Sequence, residues 1–166
     1  LIDRDAHEVL KYSTDGQVLL RIGSREKPSL QAPFNHPADI AIAQNGDIFV
    51  ADGYGNSSVH RFSGDGKHLN SWGSWGSGPG QFITPHGIWV DGQDRAYVCD
   101  RENNRVQLFS LDGDYITEWT GFFHPMDIFM DARGIFYVTD QVPGMTKLKA
   151  DGSMIDRIRT PVNGHG

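Results

Sequence analysis

"HPADIAIAQNGDIFVADGYGNSSVHRFSGDG" (residues 36–66) is followed by "TPHGIWVDGQDRAYVCDRENNRVQLFSLDG" (84–113) and "HPMDIFMDARGIFYVTDQVPGMTKLKADG" (124–152). Laid over one another, the three stretches are one pattern written three times. The prolines Pro37, Pro85 and Pro125 are separated by 48 and 40 residues. The aspartates Asp52, Asp100 and Asp140 keep the same two separations. The longer first interval holds the Gly-rich insert "WGSWGSGPGQF" (Trp72–Phe82). A fixed period of this length marks a repeat architecture, and it decides the fold.

Within the middle unit, four short runs read as strands: Gly87–Val90, Arg95–Asp100, Arg105–Ser110 and Tyr115–Thr120. They are rich in β-branched and aromatic residues and are bounded by Gly, Asp and Asn. None is long enough for an ordinary helix. Asp-Gly pairs stand between the third and fourth runs, at Asp15-Gly16, Asp65-Gly66, Asp112-Gly113 and Asp151-Gly152. Glycine tolerates positive φ, which suits a tight hairpin there. A four-stranded antiparallel unit of about 40–45 residues is the blade of a β-propeller. The expected fold is therefore all-β, with about three whole blades and parts of two more over residues 1–32, 33–80, 81–120, 121–160 and 161–166. The opening "LIDRDAHEVLKYSTDGQVLLRIG" aligns Asp3 with Asp100 and Val9 with Val106. Leu1 then falls inside a second strand, and "NGHG" at the other end stops where a first strand starts. A closed ring takes four to eight blades. The expectation is a piece of a longer chain, or copies that associate through open blade faces.

Bulk composition narrows the classes of function. The formal net charge of −6 argues against nonspecific nucleic-acid or anionic-membrane binding, so neither partner is expected. No apolar run approaches the ~20 residues of a membrane-spanning helix. Cys99 is the single cysteine, which rules out an internal disulfide and a cysteine-rich zinc module. It lies in the apolar run Ala96–Cys99 and reads as a small buried hydrophobe. The four tryptophans read as blade packing, and the Gly-rich insert as a flexible inter-blade connection rather than a phosphate loop. No compartment can be assigned.

The unit "P-x-x-I-x-V…G-x-x-Y-V-x-D-x-x-N-x-R-V-x-x-F…D-G" resembles the NHL repeat. Three local features resemble a narrower group: "DGYGNS" (Asp52–Ser57), "GPGQFITPHGI" (Gly78–Ile88) and "DRENNRVQLF" (Asp100–Phe109). In this order they are similar to the peptidyl-α-hydroxyglycine α-amidating lyase family. The resemblance implies a six-bladed propeller, a catalytic Zn²⁺ held by three histidines in the central cavity, and a structural Ca²⁺. It implies cleavage of a peptidyl-α-hydroxyglycine into a peptide amide and glyoxylate. It places an active-site tyrosine at Tyr54, a zinc histidine at His86 and an active-site arginine at Arg101. The calcium ligands are not located by it.

A spacing argument stands beside the resemblance. The position after each repeat proline holds Ala38, His86 and Met126, and after Gly164 comes His165. Histidine thus alternates with non-ligands. In a six-bladed ring alternate blades are about 120° apart, so three such histidines would converge on the axis. Three His with an open fourth position is a catalytic zinc arrangement. His86 and His165 are the two candidate ligands present. His36 and His124 read as loop residues, and His7, His60 and His68 as solvated. Two rival readings remain: a non-catalytic NHL module that binds a protein or peptide, and a propeller hydrolase holding Ca²⁺ through carboxylates.

Overall fold

The structure, a computed structural model, describes residues 1–25, 27–29, 33–142 and 144–159. His165 lies outside the described residues. Among the described residues, fifteen strands form four antiparallel sheets, each in sequential order. The first sheet has three strands, β1 (Ile2–Asp3), β2 (Glu8–Tyr12) and β3 (Val18–Gly23). The next three have four each. They are β4 (Asp39–Ile42), β5 (Ile48–Asp52), β6 (Ser58–Phe62) and β7 (His68–Trp72); β8 (Pro85–Val90), β9 (Arg95–Asp100), β10 (Arg105–Ser110) and β11 (Tyr115–Thr120); and β12 (Pro125–Met130), β13 (Phe136–Asp140), β14 (Gly144–Leu148) and β15 (Met154–Arg159). Three of the four strands read from the middle unit coincide with β9, β10 and β11. The fourth, β8, begins two residues earlier, at Pro85.

Strand alternation explains how the sheets stack. Successive side chains point to opposite faces. In β5, Phe49 and Ala51 enter the core shared with β8–β11, while Ile48 and Val50 enter the core shared with β2–β3. In β9, Ala96 and Val98 face back toward β4–β6, while Tyr97 and Cys99 face forward to β12–β14. Both faces of β5 and β9 are buried, so their runs Ile48–Ala51 and Ala96–Cys99 are apolar without a break. Cys99 is fully buried, and burial pushes its thiol well above the usual range. Trp72 and Trp119 pack into these cores, but Trp75 is 74% exposed, against the expectation that all four tryptophans pack. It sits at the tip of the Gly-rich insert.

The first strands β4 and β12 each pack directly against β8, the first strand between them. The fourth strands are mostly exposed. The blades are thus wedges, narrow at the first strand and wide at the fourth. Hairpins between third and fourth strands turn on Gly16, Gly66, Gly113 and Gly152, each with φ between 82° and 90°. A register shift accompanies each of these turns, as expected for a glycine bulge.

The repeated aspartate is structural. Asp52 accepts the Asn35 N–H (3.0 Å), and Asp100 accepts the Ile83 N–H (2.9 Å), each tying down the loop that leads into the first strand of its own blade. Asp100 also receives Asn103 Nδ2, Arg105 Nε and Gln107 Nε2. Arg105 and Gln107 donate in turn to the Gln81 carbonyl, and Arg105 to that of Gly78. The Gly-rich insert expected to be flexible is therefore stitched to the blade that follows it.

His7 and His60, expected to be solvated, are 5% and 2% exposed. His60 lies at the strand position that Gln107 holds in the next blade. It bonds Ser71 Oγ (2.7 Å) and approaches Asp52 (3.3 Å). His7 Nδ1 accepts the His36 N–H (3.0 Å), and the two rings meet edge to face. Both are polar groups buried with partners. His68 is exposed, and His36 and His124 lie in loops.

Candidate active site

The loop after β5 and the start of β8 come together because Gly53 has no side chain. A Cβ there would collide with the Pro85 carbonyl. The same device recurs one blade on, where a Cβ on Gly87 would stand 2.8 Å from the Met126 carbonyl oxygen. Backbones of neighbouring blades thus touch near the axis. A bulge between Pro85 and Ile88 re-aims His86 relative to the regular pleat.

His86 and Tyr54 meet there. The Tyr54 hydroxyl lies 2.9 Å from His86 Nε2, and His86 Nδ1 lies 2.7 Å from the Met126 carbonyl oxygen. A carbonyl only accepts, so Nδ1 carries the proton and Nε2 presents its lone pair. Burial holds the His86 pKa below its ordinary value, and the positive charge of Arg101 adds to this. A neutral imidazole locked by a backbone carbonyl is the form that a metal ligand or a proton acceptor needs.

Arg101 begins a 3-10 turn, Arg101–Asn103, directly after the buried Asp100. Its N–H donates to the Thr84 carbonyl and its Nε to Glu102. Its guanidinium carbon stands 5.4 Å from the centre of the Tyr54 ring. The structure therefore brings together three of the four residues singled out from the sequence.

The sequence reading missed Arg4, whose guanidinium carbon stands 5.3 Å from the same ring. The signal was available: aligning Asp3 with Asp100 puts Arg4 at the position of Arg101. Arg4, Asp5, Ala38, Tyr54 and His86 border an open cavity of about 540 Å³. A second, about 230 Å³, lies against Ala38, Asp39, His86, Met126 and Asp127. The post-proline residues Ala38, His86 and Met126 thus face common space. Asp39 was also missed. It accepts the Ile88 N–H (2.9 Å) across the blade boundary, and burial raises its pKa to about 6.

Whether these residues suit a metal can be tested on their chemistry. His86 Nε2 fits a ligand, since its tautomer is fixed from the other nitrogen. Among the described residues, no group of three or more His, Cys, Asp or Glu is placed to hold a metal ion. A three-histidine zinc site, or a carboxylate cage for calcium, would need groups beyond them.

Four-stranded antiparallel sheets stacked face to face in blade-like order define a β-propeller. Residues 31–144 match the 6-bladed beta-propeller family, and the chain belongs to it. The relatives include NHL repeat-containing protein 3 of Homo sapiens, 33% identical over 123 residues, covering 70% of this chain and 35% of the relative. They also include the "Probable peptidyl-alpha-hydroxyglycine alpha-amidating lyase" of Caenorhabditis elegans, 37% identical over 114 residues, covering 65% of this chain and 32% of the relative. The chain spans about a third of the length of these curated relatives. Among solved structures, a streptogramin B lyase superposes with a TM-score of 0.73 at 16% identity, over 96% of this chain and 50% of that one. That likeness concerns the fold alone.

Proposed function

We propose that this chain carries part of the active site of a zinc-dependent peptidyl-α-hydroxyglycine amidating lyase, with Tyr54 and Arg101 catalytic and His86 and His165 as metal ligands. One observation carries the reading: Tyr54 and His86, from different blades, meet at 2.9 Å beside a cavity and under the Arg101 guanidinium. The kinship with a relative named as an amidating lyase supports it. The substrate would be a peptide ending in α-hydroxyglycine.

Zinc held at His86 Nε2 would supply Lewis-acid polarisation of the substrate's hydroxyl oxygen. Nε2 has one lone pair, which the Tyr54 hydroxyl now uses. The two uses are exclusive, so ligation would free the Tyr54 oxygen for the substrate. The Arg101 guanidinium, 5.4 Å from the centre of the Tyr54 ring, would stabilise negative charge that develops on the phenol oxygen. The Tyr54 oxygen then takes the proton of the α-hydroxyl. The O–H electron pair becomes the carbonyl bond of glyoxylate as the C–N bond breaks. The amide nitrogen keeps the C–N pair and takes the proton back from Tyr54, so base and products balance. Ca²⁺ belongs to the same reading as a structural ion, with no ligand assigned.

The test is metal content and turnover of the full-length protein, with His86→Ala beside it. Stoichiometric zinc lost in the variant, and glyoxylate released from an α-hydroxyglycine peptide, are expected. Absence of zinc from the intact protein would overturn the reading. A peptide or protein partner retained after chelation would instead support a non-catalytic NHL module.

A further inference from the structure

We propose that the β12–β15 blade holds a docking pocket for a short glycine-rich segment of a partner polypeptide, bound through its backbone beside Asp140, Gly144 and Arg159. The proposal does not depend on the lyase reading.

The pocket follows from what this blade lacks. In the β8–β11 blade, Arg105 stands opposite Asp100 and holds the Gly-rich insert by the carbonyls of Gly78 and Gln81. Gln107 accepts the Gly80 N–H and donates to the Gln81 carbonyl. In the β12–β15 blade, the residue opposite Asp140 is Gly144, and Thr146 takes the register position of Gln107. The connection is shorter as well. The link into β8 runs over residues 73–84, whereas the link into β12 runs over 121–124. Insert and clamping side chain are thus absent together. In their place is a cavity of about 200 Å³, lined by Phe123, Asp140, Val142, Gly144, Arg157 and Arg159.

Asp140 supplies an independent observation. Its equivalents Asp52 and Asp100 bond the loops and strands around them. Asp140 Oδ1 is buried with no hydrogen-bond partner among the described residues. Such an oxygen calls for a donor. On the fourth strand, Arg157 already donates to Thr146 Oγ1 (2.9 Å) and to the Gly121 carbonyl (2.6 Å). Arg159 has no side-chain partner among the described residues. An open acceptor and an open guanidinium therefore border one space.

Charge selects the ligand. One carboxylate and two guanidinium groups make the lining net positive, which disfavours a cation in the place that Arg105 fills one blade earlier. An anion would meet the Asp140 oxygen, which only accepts when ionised. A peptide group is neutral and carries both an N–H for Asp140 and a carbonyl for Arg159. At ~30 Å³ per water, the cavity equals about seven waters, enough for backbone with small side chains. Phe123 and Val142, both exposed, give it apolar walls. The Gly-rich insert shows the kind of chain that fills the equivalent place.

The probe is the insert itself, as the capped peptide acetyl-Gly-Ser-Gly-Pro-Gly-Gln-amide, the sequence of residues 76–81. It is titrated by NMR into the isotope-labelled full-length protein. Saturable shifts are expected at the Gly144 amide and the Arg159 side chain, with a dissociation constant of about 1 mM or tighter. The same peptide N-methylated at its glycines loses its donors and should not saturate. Gly144→Arg restores the arginine of the preceding blade and should close the pocket. A Cβ at Gly144 meets the Ile158 carbonyl oxygen at 3.2 Å, so Arg159→Gln is measured beside it. That exposed change should weaken the peptide about tenfold and leave the melting temperature unchanged. No saturation at several millimolar peptide, shifts that gather away from Gly144, or undiminished binding in Arg159→Gln would each sink the proposal.

Discussion

Gly53 lies so close to Pro85 that a single methyl group on it would overlap the Pro85 carbonyl oxygen. This contact sets the distance between Tyr54, one residue after Gly53, and His86, one residue after Pro85. Neighbouring blades can be no farther apart here without separating the pair. Gly53→Ala should therefore destabilise the protein by about 2–4 kcal/mol, within the tail of backbone-clash effects. It should also abolish the Tyr54–His86 bond. Urea denaturation measures the first, and the histidine ring NMR shifts measure the second. An unchanged midpoint would mean that the blades slide apart without cost.

Tyr54→Phe separates chemistry from stability. Tyr54 is 43% exposed, and its hydroxyl bonds His86 Nε2 at the cavity edge. Stability should change by less than about 1 kcal/mol. Glyoxylate release should fall about 10²–10⁴-fold, the range for losing a positioned acid–base group. Parallel thermal melts and turnover assays would decide.

Within "DRENNR", two adjacent residues should behave oppositely. Asp100 is fully buried and receives Asn103, Arg105 and Gln107. Asp100→Ala removes one of the two acid partners of Arg105, leaving Glu118, and strips Asn103 and Gln107 of an acceptor, at a cost of about 1–3 kcal/mol. Arg101→Gln removes a cation from the Tyr54 ring and should leave the melting temperature within a few degrees while turnover drops. If the two variants instead unfold alike, the division of labour is wrong.

Two groups near the axis impose opposite pH slopes. The Asp39 pKa is raised by burial to about 6. The folded state therefore binds its proton where the unfolded state, near ~3.9, does not, and stability falls as pH rises from about 4 to about 6. The His86 pKa is lowered, so the unfolded chain binds the proton first, and stability falls as pH drops below about 6.5. Asp39→Asn should erase the first slope and His86→Gln the second. Denaturant midpoints at half-unit pH steps test both.

The fold was legible because each blade repeats its prolines, strand-ending aspartates and Asp-Gly turns, and repetition averages out local ambiguity. The apolar runs of β5 and β9 announced burial on two faces. Tertiary pairing was not legible. Nothing local separates His60, buried against Asp52 and Ser71, from His68, which is exposed. Trp75 looked like packing because tryptophan usually packs, yet it caps a loop. The motifs singled out Tyr54, His86 and Arg101, which the structure brings together, whereas Arg4 joins them through proximity between blades. Its surroundings in sequence, "LIDRD", carry no aromatic or glycine signal. Asp39 escaped notice because its role depends on a backbone N–H donated by the neighbouring blade.

Each core is shared by consecutive blades only, and among the described residues the β4–β7 and β8–β11 blades are each packed on both faces. Cooperative opening in such a stack proceeds between neighbours. His86 and Arg101 ride on the β8–β11 blade, Tyr54 on the β4–β7 blade and Arg4 on the β1–β3 sheet. The candidate site residues therefore straddle boundaries between blades. A fluctuation that parts two blades would disarm the site long before the chain unfolds, so loss of catalysis on warming should precede loss of β-structure.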